Sequence, residues 1–271
     1  MNGPNVATLI ANNFSIAVLA ASGQDTANAV ALSSDLQLPL CPSPPTTSDV
    51  LEYRAFLVCD SHALLLQQTG PSAPGPIAVD FGSAAMRHRR HGSHNELLGK
   101  AVGSAKKAGI HLLDATAGLG RDSFILADLG CNVSLCERND IVARMLESGL
   151  RVAGANEDPW VRAVVQKMTL HARDARSLCD TQLRGVDVIY LDPMFPERGK
   201  KAKVKKEMAL LHELLGSAED GDELLLWALQ QDVARVVVKR PPRAPALAEQ
   251  KPSHSIAGKA VRYDVYVLRG L

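Results

Sequence analysis

One stretch constrains this chain more than any other: Leu112-Leu113-Asp114-Ala115-Thr116-Ala117-Gly118-Leu119-Gly120-Arg121-Asp122. Apolar residues run into Asp114, two glycines follow at a spacing of two, and a helical pattern starts at once in Ser123-Phe124-Ile125-Leu126-Ala127. The pattern predicts a strand, a tight turn and a helix N-terminus. Gly118 and Gly120 let backbone approach a ligand with no Cβ in the way. The helix start supplies N–H groups without intrahelical partners. Turns with this need hold the nucleoside end of a cofactor at the carboxyl ends of a parallel sheet. A plain strand-to-helix turn carrying two glycines is the competing reading.

The neighbouring segments extend the pattern. A second strand, Asn132 to Cys136, ends on Glu137, nineteen residues after Gly118. An acid at that place accepts hydrogen bonds from ribose hydroxyls, and Arg138 beside it either flanks the adenine or faces solvent. A third strand runs from Met168 into Arg173-Asp174. Asp174 can accept an adenine amine or cap the next helix. The fourth strand, Val186 to Leu191, is apolar except for Asp187, as expected of a parallel strand covered on both faces. A fifth strand spans Arg235 to Lys239, and two closing runs, Ser255 to Lys259 and Val261 to Leu268, complete the set. Between them the spacing predicts helices over 95–108, 123–129, 139–153 and 160–165. The expected fold is α/β: a Rossmann-like, seven-stranded doubly wound sheet with one antiparallel strand.

Residues 1–95 read as a small N-terminal α+β domain ending in a basic linker, and residues 96–271 as the main domain. The Pro/Ser-rich run around Pro42 is a loop, and Asp60-Ser61-His62 a hairpin turn. Five cysteines without CxxC spacing read as reduced thiols. The first cation is Arg54 and no apolar run reaches membrane-spanning length. The expected location is the cytoplasm, with no membrane contact. The histidines at 88 and 91 lack the spacing and partner acids of a metal site, so no metal is expected.

Asp192-Pro193-Met194-Phe195 follows the fourth strand, at a topological switch point. This tetrapeptide suits an exocyclic amine on a base. Asp192 and the Pro193 carbonyl can both accept its N–H groups, which localises the nitrogen lone pair and aims it. Proline fixes the backbone, and Phe195 offers a stacking face. A stiffened turn after a strand is the competing reading. The net charge is only +1, so nucleic-acid affinity has to come from local patches. Three basic segments qualify: Arg87, Arg89 and Arg90; Lys200, Lys201 and Lys203; and Lys239 with Arg240. Together they predict salt-sensitive RNA binding, against the alternative of solvated faces.

The segments 114–122, Glu137-Arg138-Asn139, Tyr190-Leu-Asp-Pro-Met-Phe-Pro196, Val204-Lys-Lys-Glu-Met208 and Val236-Val-Val-Lys-Arg-Pro241 resemble the RsmJ-type S-adenosylmethionine-dependent methyltransferases. So do Val79-Asp80-Phe81 and Ala85 to Arg90. The resemblance covers residues 77–267 well and the first seventy only loosely. It implies transfer of a methyl group to a guanine N2 in 16S RNA of the small ribosomal subunit. It also implies cofactor contacts from Arg121, Asp122, Glu137 and Arg138, and a place for Asp192 beside both cofactor and target base. Arg173 and Asp174 stand where that family carries small polar residues. Two other readings compete. One is a nicotinamide-dependent oxidoreductase, although Ser123 stands where GxGxxG has its third glycine. The other is a non-catalytic RNA-binding assembly protein.

Overall fold

The computed structural model describes residues 15–90, 92, 94–193 and 220–271, with nothing described of the His94 side chain. They form two units, each discontinuous in sequence. The first takes residues 15–79 and 139–152, and the second the remaining described residues.

In the first unit, four strands make a mixed sheet: β1 (Ile16–Ala20), β2 (Leu40–Cys41), β3 (Ala55–Cys59) and β4 (Leu64–Gln68), in the order β2-β1-β3-β4. β1 is parallel to β2 and β3, and β3 is antiparallel to β4. The β3–β4 connection is the expected hairpin: Asp60 N–H donates to the Ala63 carbonyl, and the Asp60 carboxylate accepts from His62 N–H. Every residue of β1 is buried, so it reads as a continuous apolar run rather than an alternating one. The helix Thr26–Leu36 follows it. That helix escapes a periodicity argument because its polar and small residues give no apolar stripe. The helix Asp140–Gly154 begins after Asn139, whose side chain accepts from the N–H groups of Ile141 and Val142. Its Ser148 hydroxyl accepts from Leu64 N–H at 3.0 Å, and Arg144 reaches Asp35. Gly149 lies so close to Val79 that a Cβ there would come within 2.2 Å of a valine methyl.

The second unit is a seven-stranded sheet. Its strands are β5 (His111–Asp114), β6 (Asn132–Cys136), β7 (Met168–His171), β8 (Val188–Leu191), β9 (Arg235–Arg240), β10 (His254–Ala257) and β11 (Arg262–Val267). The spatial order is β10-β11-β9-β8-β5-β6-β7. β11 alone runs against the rest, pairing antiparallel with both β9 and β10. This is the expected sheet, and its strand order reverses between β5 and β8. All four residues of β8 are buried. Phe81 stacks on Phe124 at 4.9 Å, and Trp160 meets Phe124 edge-on at 5.4 Å. These rings seat the helix Arg121–Asp128 through apolar burial and aromatic geometry.

Three expectations differ from the structure. The helix from His94 ends at Val102 rather than Ala108, because Gly103 adopts φ +83 and turns the chain out of the helix. The basic segment is not a linker: Ala84–Arg90 is a helix with Met86 buried beneath it. The described residues between 80 and 95 group with the second unit rather than with residues 15–79.

Candidate active site

The register of the sheet builds the site. β5 pairs with β8 so that Asp114 lies opposite Tyr190. Two residues further along each strand, Thr116 and Asp192 therefore meet, and Asp192 N–H donates to Thr116 Oγ1 at 2.7 Å. The glycine turn and the Asp192-Pro193 corner thus lie side by side across the switch point.

The turn is held from beneath. Asp114 is 1 % exposed, and its two oxygens accept from Thr116 N–H and from the buried Ser123 hydroxyl. Burial pushes its carboxyl up to about 7, against those two hydrogen bonds and helped by Asp122 and Asp192. Asp114 therefore shapes the turn. Gly118 and Gly120 have φ of +54 and +71, which glycine adopts at little cost. A Cβ on Gly118 would meet nothing within 4 Å, so the space above this turn is open. Gly120 occupies the N-cap position of the helix Arg121–Asp128 and offers no side-chain acceptor to its first N–H groups. Glu137, 7 % exposed, accepts from Gly118 N–H at 2.9 Å, which fixes the second-strand acid against the turn. This cradle fits a nucleoside cofactor: open backbone, helix N–H groups and an anchored carboxylate.

Arg121 is exposed at the first helical position. Asp122 turns into a network. Its carboxylate accepts from Arg89, from the Tyr190 hydroxyl at 2.7 Å and from the Lys239 ammonium at 2.8 Å. Burial opposes its charge, but Lys239 and Arg89 outweigh it and hold the carboxyl down to about 2. Lys239 also donates to Asp192 at 2.7 Å. Burial raises the Asp192 carboxyl above the usual range, with Asp122 adding to the rise and Lys239 opposing it.

At the other end of the cradle, Asp174 caps the 3-10 turn Ala175–Ser177 by accepting from Arg176 N–H, the second of its two expected roles. Its oxygens also pair with the Arg176 guanidinium. Arg138 pairs with Asp220 at 2.5 Å and lies 3.8 Å from Asp174. Arg173 is exposed.

Among the described residues, the basic side chains are engaged within the chain. Arg87 pairs with Asp158, Arg89 with Asp122, and Arg90 with Asp128 while stacking 4.4 Å above Trp160. Arg240 is 4 % exposed and donates to the Pro245 carbonyl. Lys239 and Arg240 do not project into solvent because β9 is an interior strand, flanked by β8 and β11, whose alternating side chains enter covered faces. Phe195, Lys200, Lys201 and Lys203 lie outside the described residues. Pro193 is buried, its ring near Gly221 at the start of the helix Gly221–Leu229.

Sequence reasoning missed Tyr190, Thr116 and Ser123 as members of the site, along with Arg176 and Asp220. Tyr190 carried a signal: a hydroxyl in an otherwise aliphatic buried strand needs a partner. Among the described residues, no group of three His, Cys, Asp or Glu could hold a metal ion, and no helix is long and apolar enough to cross a membrane.

Comparisons with known proteins point to one family. The profile of the SAM-dependent methyltransferase family SAM_MT matches residues 48–268. Ribosomal RNA small subunit methyltransferase J of Marinobacter nauticus is 45 % identical over 226 residues, covering 82 % of this chain and 81 % of that one. The protein of the same name from Cellvibrio japonicus is 44 % identical over 252 residues, covering 89 % and 92 %. A crystal structure of a SAM-dependent methyltransferase from Neisseria gonorrhoeae superposes with a TM-score of 0.71 at 34 % identity, covering 94 % of this chain and 96 % of that one. This chain belongs to the S-adenosylmethionine-dependent methyltransferases, in the family of ribosomal RNA small subunit methyltransferase J.

Proposed function

We propose that this chain methylates the exocyclic N2 of a guanine in 16S ribosomal RNA, acting in the cytoplasm on the RNA or on the small subunit that contains it. The observation that carries the reading is the Asp192 N–H to Thr116 bond, which sets the amine-binding corner beside the glycine turn. Gly118, Gly120 and Glu137 would hold the cofactor, with Arg121 and Arg138 at its margins. S-adenosylmethionine supplies an electrophilic methyl on sulfonium. The chain's own residues prepare the acceptor. Asp192 and the Pro193 carbonyl accept the amine N–H groups, which withdraws the nitrogen lone pair from the ring and aims it. The amine sheds one proton as the new N–C bond forms and the methyl–sulfur bond breaks, which leaves a neutral thioether; Asp192 would take the proton. Adjacent corners bring donor and acceptor together, so proximity supplies much of the rate. Phe195 stacks the base, and Lys200, Lys201 and Lys203 contact RNA phosphates. Ser123, where a dinucleotide turn has its third glycine, is committed to Asp114.

The test uses methyl-labelled S-adenosylmethionine with naked 16S RNA, partial particles and whole small subunits, followed by mass spectrometry of nucleosides. The expected product is N2-methylguanosine. Absence of label in every substrate would favour a non-catalytic RNA-binding protein instead.

A further inference from the structure

Lys239 lies between two carboxylates. Its ammonium donates to Oδ2 of Asp122 and to Oδ2 of Asp192, at 2.8 and 2.7 Å. Exposure rises from Asp122 at 10 % through Lys239 at 23 % to Asp192 at 37 %, so Asp192 is the outermost member. Among the described residues, Oδ1 of Asp192 receives no donor. The groups facing Lys239 are Asp122 from the helix after the glycine turn and Arg89 from the helix Ala84–Arg90. From the sheet they are Asp192 and Tyr190 of the β8 segment, and Tyr263 of β11, which is paired with Lys239 in register. Two cations and two carboxylates make this set neutral, which leaves Lys239 no surplus charge for a phosphate.

We propose that Lys239 is a positioning residue for methyl transfer: it engages one oxygen of Asp192, presents the other to the target amine, and ties that carboxylate to Asp122 on the cofactor side. The proposal rests on the function proposed above. The physical need is plain. An aspartate carboxyl rotates between two nearly equivalent orientations, and a carboxylate beside another one tends to take up a proton. A cation bonded to both opposes each outcome. Through Asp122, the same ammonium links Asp192 to the first turn of the helix Arg121–Asp128, so the acceptor corner and the cofactor turn share one fixed point. The bond from Asp192 N–H to Thr116 holds the backbone of the same residue. Main chain and side chain are thus pinned separately.

The test compares Lys239→Met and Lys239→Arg with the wild type in three measurements. Carboxyl carbon NMR of the protein alone follows the titration of Asp192. Single-turnover methyl transfer to small subunits is recorded against pH. RNA affinity is measured against salt concentration. In Lys239→Met the Asp192 midpoint should rise by at least about one pH unit. The acid limb of the rate should move up with it, and the single-turnover rate constant should fall about 100-fold. RNA affinity and its salt slope should stay within twofold of the wild type, and Lys239→Arg should recover most of the rate. If the Met variant does not fold, Lys239→Gln carries the same titration. An unmoved Asp192 midpoint would overturn the proposal. So would a defect confined to RNA affinity with a salt slope lowered by about one, which would make Lys239 a phosphate contact. If the wild type itself methylates no RNA, the proposed function fails, and the NMR titration still decides whether Lys239 governs Asp192.

Discussion

Asp114 makes a quantitative prediction because it is 1 % exposed and its carboxyl is pushed from 3.8 to about 7 by burial. A folded-state value above the unfolded one means that this group favours folding fully below pH 3.8. The contribution is lost as the pH rises to about 7, and the whole gap corresponds to about 4 kcal/mol. Asp114→Asn removes the titration and keeps the geometry. Its amide oxygen can still accept from Thr116 N–H, and its NH₂ can donate to Ser123, whose hydroxyl accepts as readily as it donates. The variant should therefore gain stability over the wild type as the pH rises. The difference should grow by roughly 2–3 kcal/mol between pH 5 and pH 8 and flatten above the folded-state value. Urea unfolding at fixed pH steps measures this directly, with equal m-values as the check that only stability has changed. A stability difference independent of pH across that window would refute the reasoning: Asp114 would then be charged throughout and stabilised by its two donors.

Three further outcomes follow from the site. Asp192→Ala should abolish methyl transfer while leaving the chain folded, since Lys239 keeps its bond to Asp122; normal turnover would remove Asp192 from the chemistry. Gly118→Val should fold with a loss of about 1–2 kcal/mol from the left-handed backbone. Its side chain would fill the open space above the turn, so calorimetric affinity for S-adenosylmethionine should fall more than tenfold. Neutralising Lys200, Lys201 and Lys203 should weaken RNA binding and lower its salt slope by about two to three, whereas Arg87→Ala and Arg90→Ala, whose charges are paired with Asp158 and Asp128, should lower that slope less.

The sheet was legible because its strands are apolar runs ending on glycine, acid or proline. Gly118, Gly120, Glu137 and Asp192 all stand at strand ends in the sequence and come together at one edge of the sheet. What sequence could not resolve was the direction of a charged side chain. Lys239 and Arg240 look like a basic patch when read along the chain. Only the place of β9 between β8 and β11 turns one toward two carboxylates and buries the other. The pairing of Arg89 was equally illegible, since nothing near it in sequence names Asp122 as its partner. The helix Ala84–Arg90 was obscured by composition: four consecutive basic residues, Arg87 to Arg90, look solvated until Asp122, Asp128 and Asp158 are known to face them.

The discontinuity of the first unit has a consequence for biosynthesis. Its sheet strands leave the ribosome early, yet the helix Asp140–Gly154, which supplies the Ser148 bond to β4 and the close seat for Val79, is made only after β5 and β6 of the other unit. Vectorial synthesis therefore cannot complete the N-terminal half first, as it does for proteins strung like beads. Nascent chains arrested short of residue 152 should remain protease-sensitive throughout residues 15–79, and excision at residue 79 should yield an aggregating fragment rather than a free-standing module.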